Sequence, residues 1–172
     1  MRSTAEYAAF LTSWEGVPYR DGGCTQQGVD CIRFAVIVLD WLHGLTGGAE
    51  ACPKLPKQTS LHNPQGAESV VSWLSARYLN NRRVGVCCGD QTYISKDLEA
   101  GSCAVLSCDS GLSQSKTPNH ILVAGAEPYT LWHCVNGDSL PHGGCVQKTS
   151  VGWAAQNGLR LLWIPYRPLL HP

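Results

Sequence analysis

The segment QQGVDCIRFAVIVL, residues 26–39, changes character at the Asp30-Cys31 step. Before it the chain is polar and carries a glycine; after it the residues are mostly apolar. Asp30 is a good N-cap, and Ile32, Ala35, Val36, Leu39 and Leu42 recur at helical spacing up to Gly44, a natural stop. Cys31 then takes the first helical position. Backbone N–H groups at a helix start point outward and favour negative charge, so the position is expected to lower a thiol pKa and to suit a nucleophile. A nucleophilic cysteine needs a base, and the rest of the chain supplies candidates.

Upstream, Tyr7, Phe10, Leu11 and Trp14 form one apolar stripe, which predicts a helix begun by Ser3 or Thr4 and ended by Gly16 and Pro18. Downstream, residues 44–66 read as a long connection, and Val70, Val71, Trp73, Leu74 and Tyr78 predict a third helix over 67–79. Beyond Arg83 come short strand-like runs: RVGVCC, SCAVLSC, HILVAGA, YTLWHCV, GCVQK and LRLLWIPY, separated by turn-forming residues. Helices followed by strands predict a single α+β domain over residues 1–172, with N-terminal helices packed on a mostly antiparallel sheet.

Six histidines are present, and His120 and His133 are the two that fall on strand-like runs. The turn around Glu127-Pro128 joins those runs into a hairpin. A four-residue loop, 125–128, pairs Ala124 with Tyr129 and sets His120 directly opposite His133, with Cβ atoms ~4.5–5.5 Å apart. A three-residue loop would put the rings on opposite faces unless a bulge restored the parity. Two adjacent imidazoles can act as a base and its orienting partner, which with Cys31 gives a candidate catalytic set.

Composition narrows the classes. The formal net charge is zero, from 13 basic and 13 acidic residues, with no run of either sign, which argues against nucleic-acid binding. No stretch approaches the ~18 apolar residues of a membrane span. The N-terminus lacks the apolar region of a secretory signal, so the protein is expected to be made in the cytoplasm without one. Of nine cysteines, the eight besides Cys31 allow up to four disulfides, or several reduced and buried thiols. They lack the paired CxxC spacing of a zinc site, so no metal ligands are assigned.

On these motifs the chain resembles the NlpC-type cell-wall peptidases, papain-like cysteine enzymes. WEGVPYRDGGCTQQGVDCIRF resembles their opening block, LEAGSCAVLS the approach to the sheet, and NHILVAGAEPYTLWHC the catalytic hairpin. The closing LRLLWIPYRP is similar to the end of bacteriophage tail-associated members. The resemblance implies a papain-like NlpC-type fold. It implies Cys31 as nucleophile, His120 as general base, and His133 as the residue that orients His120 and favours its protonated form. Tyr19 would lie close to the nucleophile, and Asp30 would contact the substrate's free amine. The family's commoner DCSGF is DCIRF here, with Ile32 and Arg33 in place of Ser and Gly.

The implied substrate is a peptidoglycan stem peptide, cut at the γ-D-glutamyl-diaminopimelate bond without a cofactor. The chain would act in the periplasm or cell wall after delivery by a phage tail or a secretion machine, with a tail-assembly partner or an immunity protein. Competing readings are a non-hydrolytic scaffold that binds peptide in the same groove and a transglutaminase- or acyltransferase-like enzyme using the same triad. CHAP-type amidases share the cysteine-then-histidine order but usually have Asn or Glu third.

Overall fold

Ser3 opens the first helix through a reciprocal cap: its hydroxyl accepts the Glu6 N–H at 3.2 Å, and the Glu6 carboxylate accepts the Ser3 N–H at 2.6 Å. The computed structural model describes residues 2–45, 52, 55, 64–78, 85–86, 103–108, 118–137, 144–156, 159–164 and 170–171. Helix α1 (Thr4–Thr12) buries Tyr7 and Leu11, and Trp14 is buried just beyond its end. A small hairpin, β2 (Cys24–Thr25) with β3 (Gly28–Val29), precedes α2 (Cys31–Leu42), which ends before Gly44 in the left-handed region (φ 65°). Helix α3 (Pro64–Tyr78) starts three residues before its predicted beginning and buries Val70, Leu74 and Tyr78. Most of the connection before it lies outside the described residues.

The six strand-like runs form one sheet. Its members are β4 (Gly85–Val86), β5 (Cys103–Cys108), β6 (Pro118–Ala124), β7 (Thr130–Cys134), β8 (Val146–Ser150) and β9 (Leu159–Ile164). They lie in the order β4-β9-β5-β6-β7-β8, and every pairing is antiparallel. The fold is therefore α+β with helices ahead of an antiparallel sheet, as the pattern predicts. Three features were not anticipated: the β2–β3 hairpin, a short helix α4 (Val151–Gln156) after β8, and a two-residue parallel pairing of β1 (Arg2–Ser3) with β10 (Leu170–His171). No helix among the described residues is long and apolar enough to cross a membrane.

Helix α2 is the centre of the core. Its buried Ile32, Phe34, Ala35, Val36, Val38 and Leu39 join one cluster with Tyr7 and Leu11 of α1, Val70 and Leu74 of α3, and Ile121, Val123, Trp132, Cys134 and Val146 of the sheet. The Tyr7 hydroxyl donates to the Ala124 carbonyl at 2.7 Å, pinning α1 to the end of β6. Burying each large apolar side chain contributes roughly 1.5–3 kcal/mol, so this cluster holds the start of α2 against the middle of the sheet.

The hairpin register differs from the expected one. Ala124 pairs with Leu131, and Val123 with Trp132, so the strands are offset by two residues from the Ala124–Tyr129 register. The turn is longer because Tyr129 adopts a left-handed conformation (φ 61°) and Gly125 donates to the Thr130 carbonyl at 2.8 Å. A Cβ on Gly125 would sit 2.1 Å from the Thr130 hydroxyl oxygen, so only glycine fits there. A shift of two preserves the pleat's parity, so His120 and His133 still share a face, now diagonally.

Candidate active site

The thiol end of the site is built by backbone. Asp30 caps α2 by accepting the Arg33 N–H at 2.7 Å, and its second oxygen accepts the Gly22 N–H at 3.1 Å. The same oxygen accepts Nη1 of Arg33 in an ion pair. Asp30 is 4% exposed, and these partners all come from its own turn and the preceding loop. Arg33, which replaces a glycine of the resembled motif, thus places its cation on Asp30.

Cys31 is a free, partly buried thiol in the first turn. The backbone N–H groups of Ile121, Ile32 and Cys31 itself act in favour of the thiolate. Burial outweighs them, and the Asp30 charge adds to it, so the thiol is pushed up to about 12. This corrects the expectation that the helix start would lower the thiol pKa: the dipole acts in that direction, and desolvation is larger. Pairing of β6 with β7 stops at Val123, and Ile121, the residue after His120, is buried in the same cluster as Ile32 of α2.

His120 and His133 are in direct contact, with Nε2 of His120 2.9 Å from Nδ1 of His133. Burial depresses His120 to about 4; burial and then the neighbouring His120 depress His133 to about 3. Both rings are neutral at pH 7, so any support His133 gives to the His120 imidazolium comes through their hydrogen bond and not through a charge. The bond to His133 occupies Nε2 of His120 and leaves Nδ1 as the nitrogen open to a second partner.

Tyr19 lies in the field of the same groups. Burial, followed by the charges of Cys31, Asp21, Asp30 and Cys134, pushes its hydroxyl up to about 12, so it keeps its proton. Its N–H donates to the Gly144 carbonyl at 2.7 Å. A Cβ on Gly144 would fall 1.9 Å from the Val135 carbonyl oxygen, so glycine at 144 is what allows the two segments to meet beside Tyr19. The buried Cys134 thiol donates to the Val29 carbonyl at 3.1 Å.

Cysteine pairing is mixed. Cys24 and Cys52 form a disulfide, while Cys31, Cys134 and Cys145 are free. Cys87 and Cys88 lie outside the described residues, as do the side chains of Cys103 and Cys108. Two further side chains flank His133 that the sequence did not single out. Gln147 of β8 is directly across from His133 in the ladder and places its side-chain amide nitrogen 3.3 Å from Nε2, and the Trp153 ring of α4 stands 5.4 Å from the imidazole, edge to face. The GCVQK run predicted the strand, but nothing in it fixes the register that brings Gln147 to His133.

Comparison with known proteins adds one local match. The chain is 55% identical over 29 residues to the probable endopeptidase NlpC of Escherichia coli (strain K12). The segment is NlpC-like. It covers 17% of this chain and 19% of that protein, so the match spans about a fifth of the length of the curated relative. No protein-family model matches the chain. Among solved structures, the NlpC/p60 domain of the peptidoglycan hydrolase SagA superposes over 94% of this chain and 98% of its own, with a TM-score of 0.48 and 15% identity.

Proposed function

We propose that this chain is an NlpC-type cysteine peptidase that hydrolyses an amide bond in peptidoglycan stem peptides, at γ-D-glutamyl-diaminopimelate. The observation that carries the reading is the His120–His133 contact on the strand that packs, through Ile121 and Val123, in one buried cluster with the helix that Cys31 begins. The local identity to an endopeptidase supports the same reaction class.

The resting pair is a neutral thiol and a neutral imidazole, which sets the order of events. As the Cys31 sulfur attacks the carbonyl carbon, its proton passes to Nδ1 of His120. His133 accepts the His120 Nε2–H and holds the ring in place as it becomes positive. The Cys31 N–H, at the helix start that Asp30 caps, is assigned to the developing oxyanion. Imidazolium then protonates the leaving amine as the C–N bond breaks, and a thioester to Cys31 remains. Water, deprotonated by His120, attacks the thioester and releases the new carboxylate and the thiol.

Tyr19, beside the nucleophile, is assigned to substrate contact. Asp30 is assigned mainly to shaping the thiol corner, since Arg33 already occupies its carboxylate; any contact it makes with a substrate amine is shared with that cation. The setting proposed is the cell wall, reached with a phage tail or a contractile secretion machine; the closing LRLLWIPYRP segment favours the tail. A tail-assembly partner suits the first route and an immunity protein the second.

The test is digestion of purified peptidoglycan with wild-type protein, Cys31→Ala and His120→Ala, with fragments identified by mass spectrometry. New D-glutamyl carboxyl ends and free diaminopimelyl amines should arise with wild type only. A folded wild type with an alkylatable Cys31 that releases no fragments would favour the peptide-binding scaffold. Release of amine-exchanged products in place of acids would favour the transferase reading.

A further inference from the structure

We propose that Gln147 is the positioning residue that sets the proton arrangement of the histidine pair, its amide oxygen accepting from His133 so that His120 is left with a basic Nδ1. The inference rests on the catalytic reading above and adds a fourth member to the set. It follows from three contacts in a row. Gln147 lies across the β7–β8 ladder from His133, its side-chain nitrogen is 3.3 Å from His133 Nε2 at a place the amide oxygen takes after a half-turn, and His133 Nδ1 is 2.9 Å from His120 Nε2.

Two neutral rings joined in this way can hold their protons in only two hydrogen-bonded arrangements. In the first, Gln147 presents its oxygen, His133 carries hydrogen on Nε2, and His133 Nδ1 accepts from His120 Nε2–H. His120 Nδ1 then has a lone pair and can take the thiol proton. In the second, Gln147 presents its NH2 group to His133 Nε2. His133 then carries hydrogen on Nδ1, donates to His120 Nε2, and forces the His120 hydrogen onto Nδ1, where it blocks the base.

A half-turn of the Gln147 amide exchanges the two arrangements, since its oxygen and nitrogen are nearly the same size. Burial of His133, at 1% exposure, leaves water little access to replace Gln147 as its partner. Burial also keeps both rings neutral, which is what confines the pair to these two states. Only the first arrangement leaves His120 a base, so the catalytic reading requires a side chain at position 147 that can accept.

Substitutions that offer only an acceptor or only donors separate this role from simple packing. Gln147→Glu can only accept when ionised and should retain kcat within a few-fold, with the acid limb of the pH profile moved to higher pH by its charge. Gln147→Lys can only donate and should lower kcat by about 100-fold with little change in KM. Nitrogen NMR of the histidine rings should find hydrogen on Nε2 of both residues in wild type and Gln147→Glu, and on Nδ1 of both in Gln147→Lys. Gln147→Met, near in size and without hydrogen-bonding hydrogens, should give a mixture, and replaces the lysine variant if that one fails to fold.

The same ring protonation in all folded variants, or equal kcat in Glu and Lys variants, would overturn the role of Gln147. The NMR readout needs no substrate. Ring protonation that follows residue 147 in a protein inert toward peptidoglycan would therefore uphold this inference and refute the peptidase reading.

Discussion

Helix α2 carries two buried aspartates, each joined to an arginine, and the two ends of the helix use the same pair differently. At the N-terminal end, Asp30 binds Arg33 one turn away, the Arg33 N–H and the Gly22 N–H. At the C-terminal end, Asp40 receives Nη2 of Arg77 at 2.9 Å and the Tyr78 hydroxyl at 2.6 Å, both from α3. Burial and the Asp40 contact hold the Tyr78 hydroxyl well above its ordinary pKa, so it remains a donor. The first carboxylate orders a loop and the helix start at which Cys31 sits. The second joins two helices. Similar partners thus make a reactive corner where they are local and a clamp where they are distant in sequence.

The largest expected effect is at the N-terminal end. Cys31→Ala should lower peptidoglycan hydrolysis by about 10³-fold or more while leaving the denaturation midpoint near wild type, because a small, partly buried side chain is removed. Asp40→Ala should do the reverse. It leaves Arg77 and Tyr78 without their acceptor and should cost about 2–3 kcal/mol in urea unfolding, a value below that of a fully buried pair because Arg77 is part-exposed. Alkylation of Cys31 in the folded Asp40→Ala protein should keep its wild-type rate.

Acid should act through the imidazole pair and not through the α2–α3 clamp. His120 and His133 are held below their unfolded value of 6.5, at about 4 and about 3. Between pH 6.5 and 4 the unfolded chain binds protons that the folded one does not, so stability should fall as pH drops through that window. His133→Gln should flatten the dependence in thermal melts taken from pH 7 to 4, and an unchanged slope would contradict neutral burial of the pair.

A smaller effect sharpens the reading of the thiol corner. Asp30→Asn keeps a capping side chain and removes the charge that raises Cys31. The thiol pKa should fall, and iodoacetamide should modify the variant severalfold faster than wild type at pH 8. In wild type the rate should keep rising with pH through the alkaline range, without the neutral-pH plateau of a thiolate–imidazolium pair. The smallest expected change is far from both ends. Tyr129→Gly removes a side chain from a left-handed position and should raise stability by up to about 1 kcal/mol in the same urea titration.

What could be read from the sequence follows the range of the interactions. Helix α1 with its Ser3 cap, α2 with Asp30 and Gly44, and the six strands are written in local periodicity and turn residues. The shared face of His120 and His133 was also accessible, because parity survives a two-residue error in register. That error arose at Tyr129, whose left-handed backbone no residue-type rule anticipates. Gln147, Trp153 and the Asp40–Arg77–Tyr78 clamp depend on partners brought together by the fold, and no spacing in the chain marks them. The thiol pKa was misjudged for a related reason: the helix start is visible in sequence, while the burial that outweighs it is a property of the packed core.

Rapid acid quenching during turnover of soluble muropeptides, followed by peptide mapping, tests the central claim most directly. The account predicts an acyl adduct on Cys31 that is labile to hydroxylamine, present with wild type and absent with Cys31→Ala. Turnover that continues with Cys31→Ala, or an acyl group recovered on another residue, would contradict it.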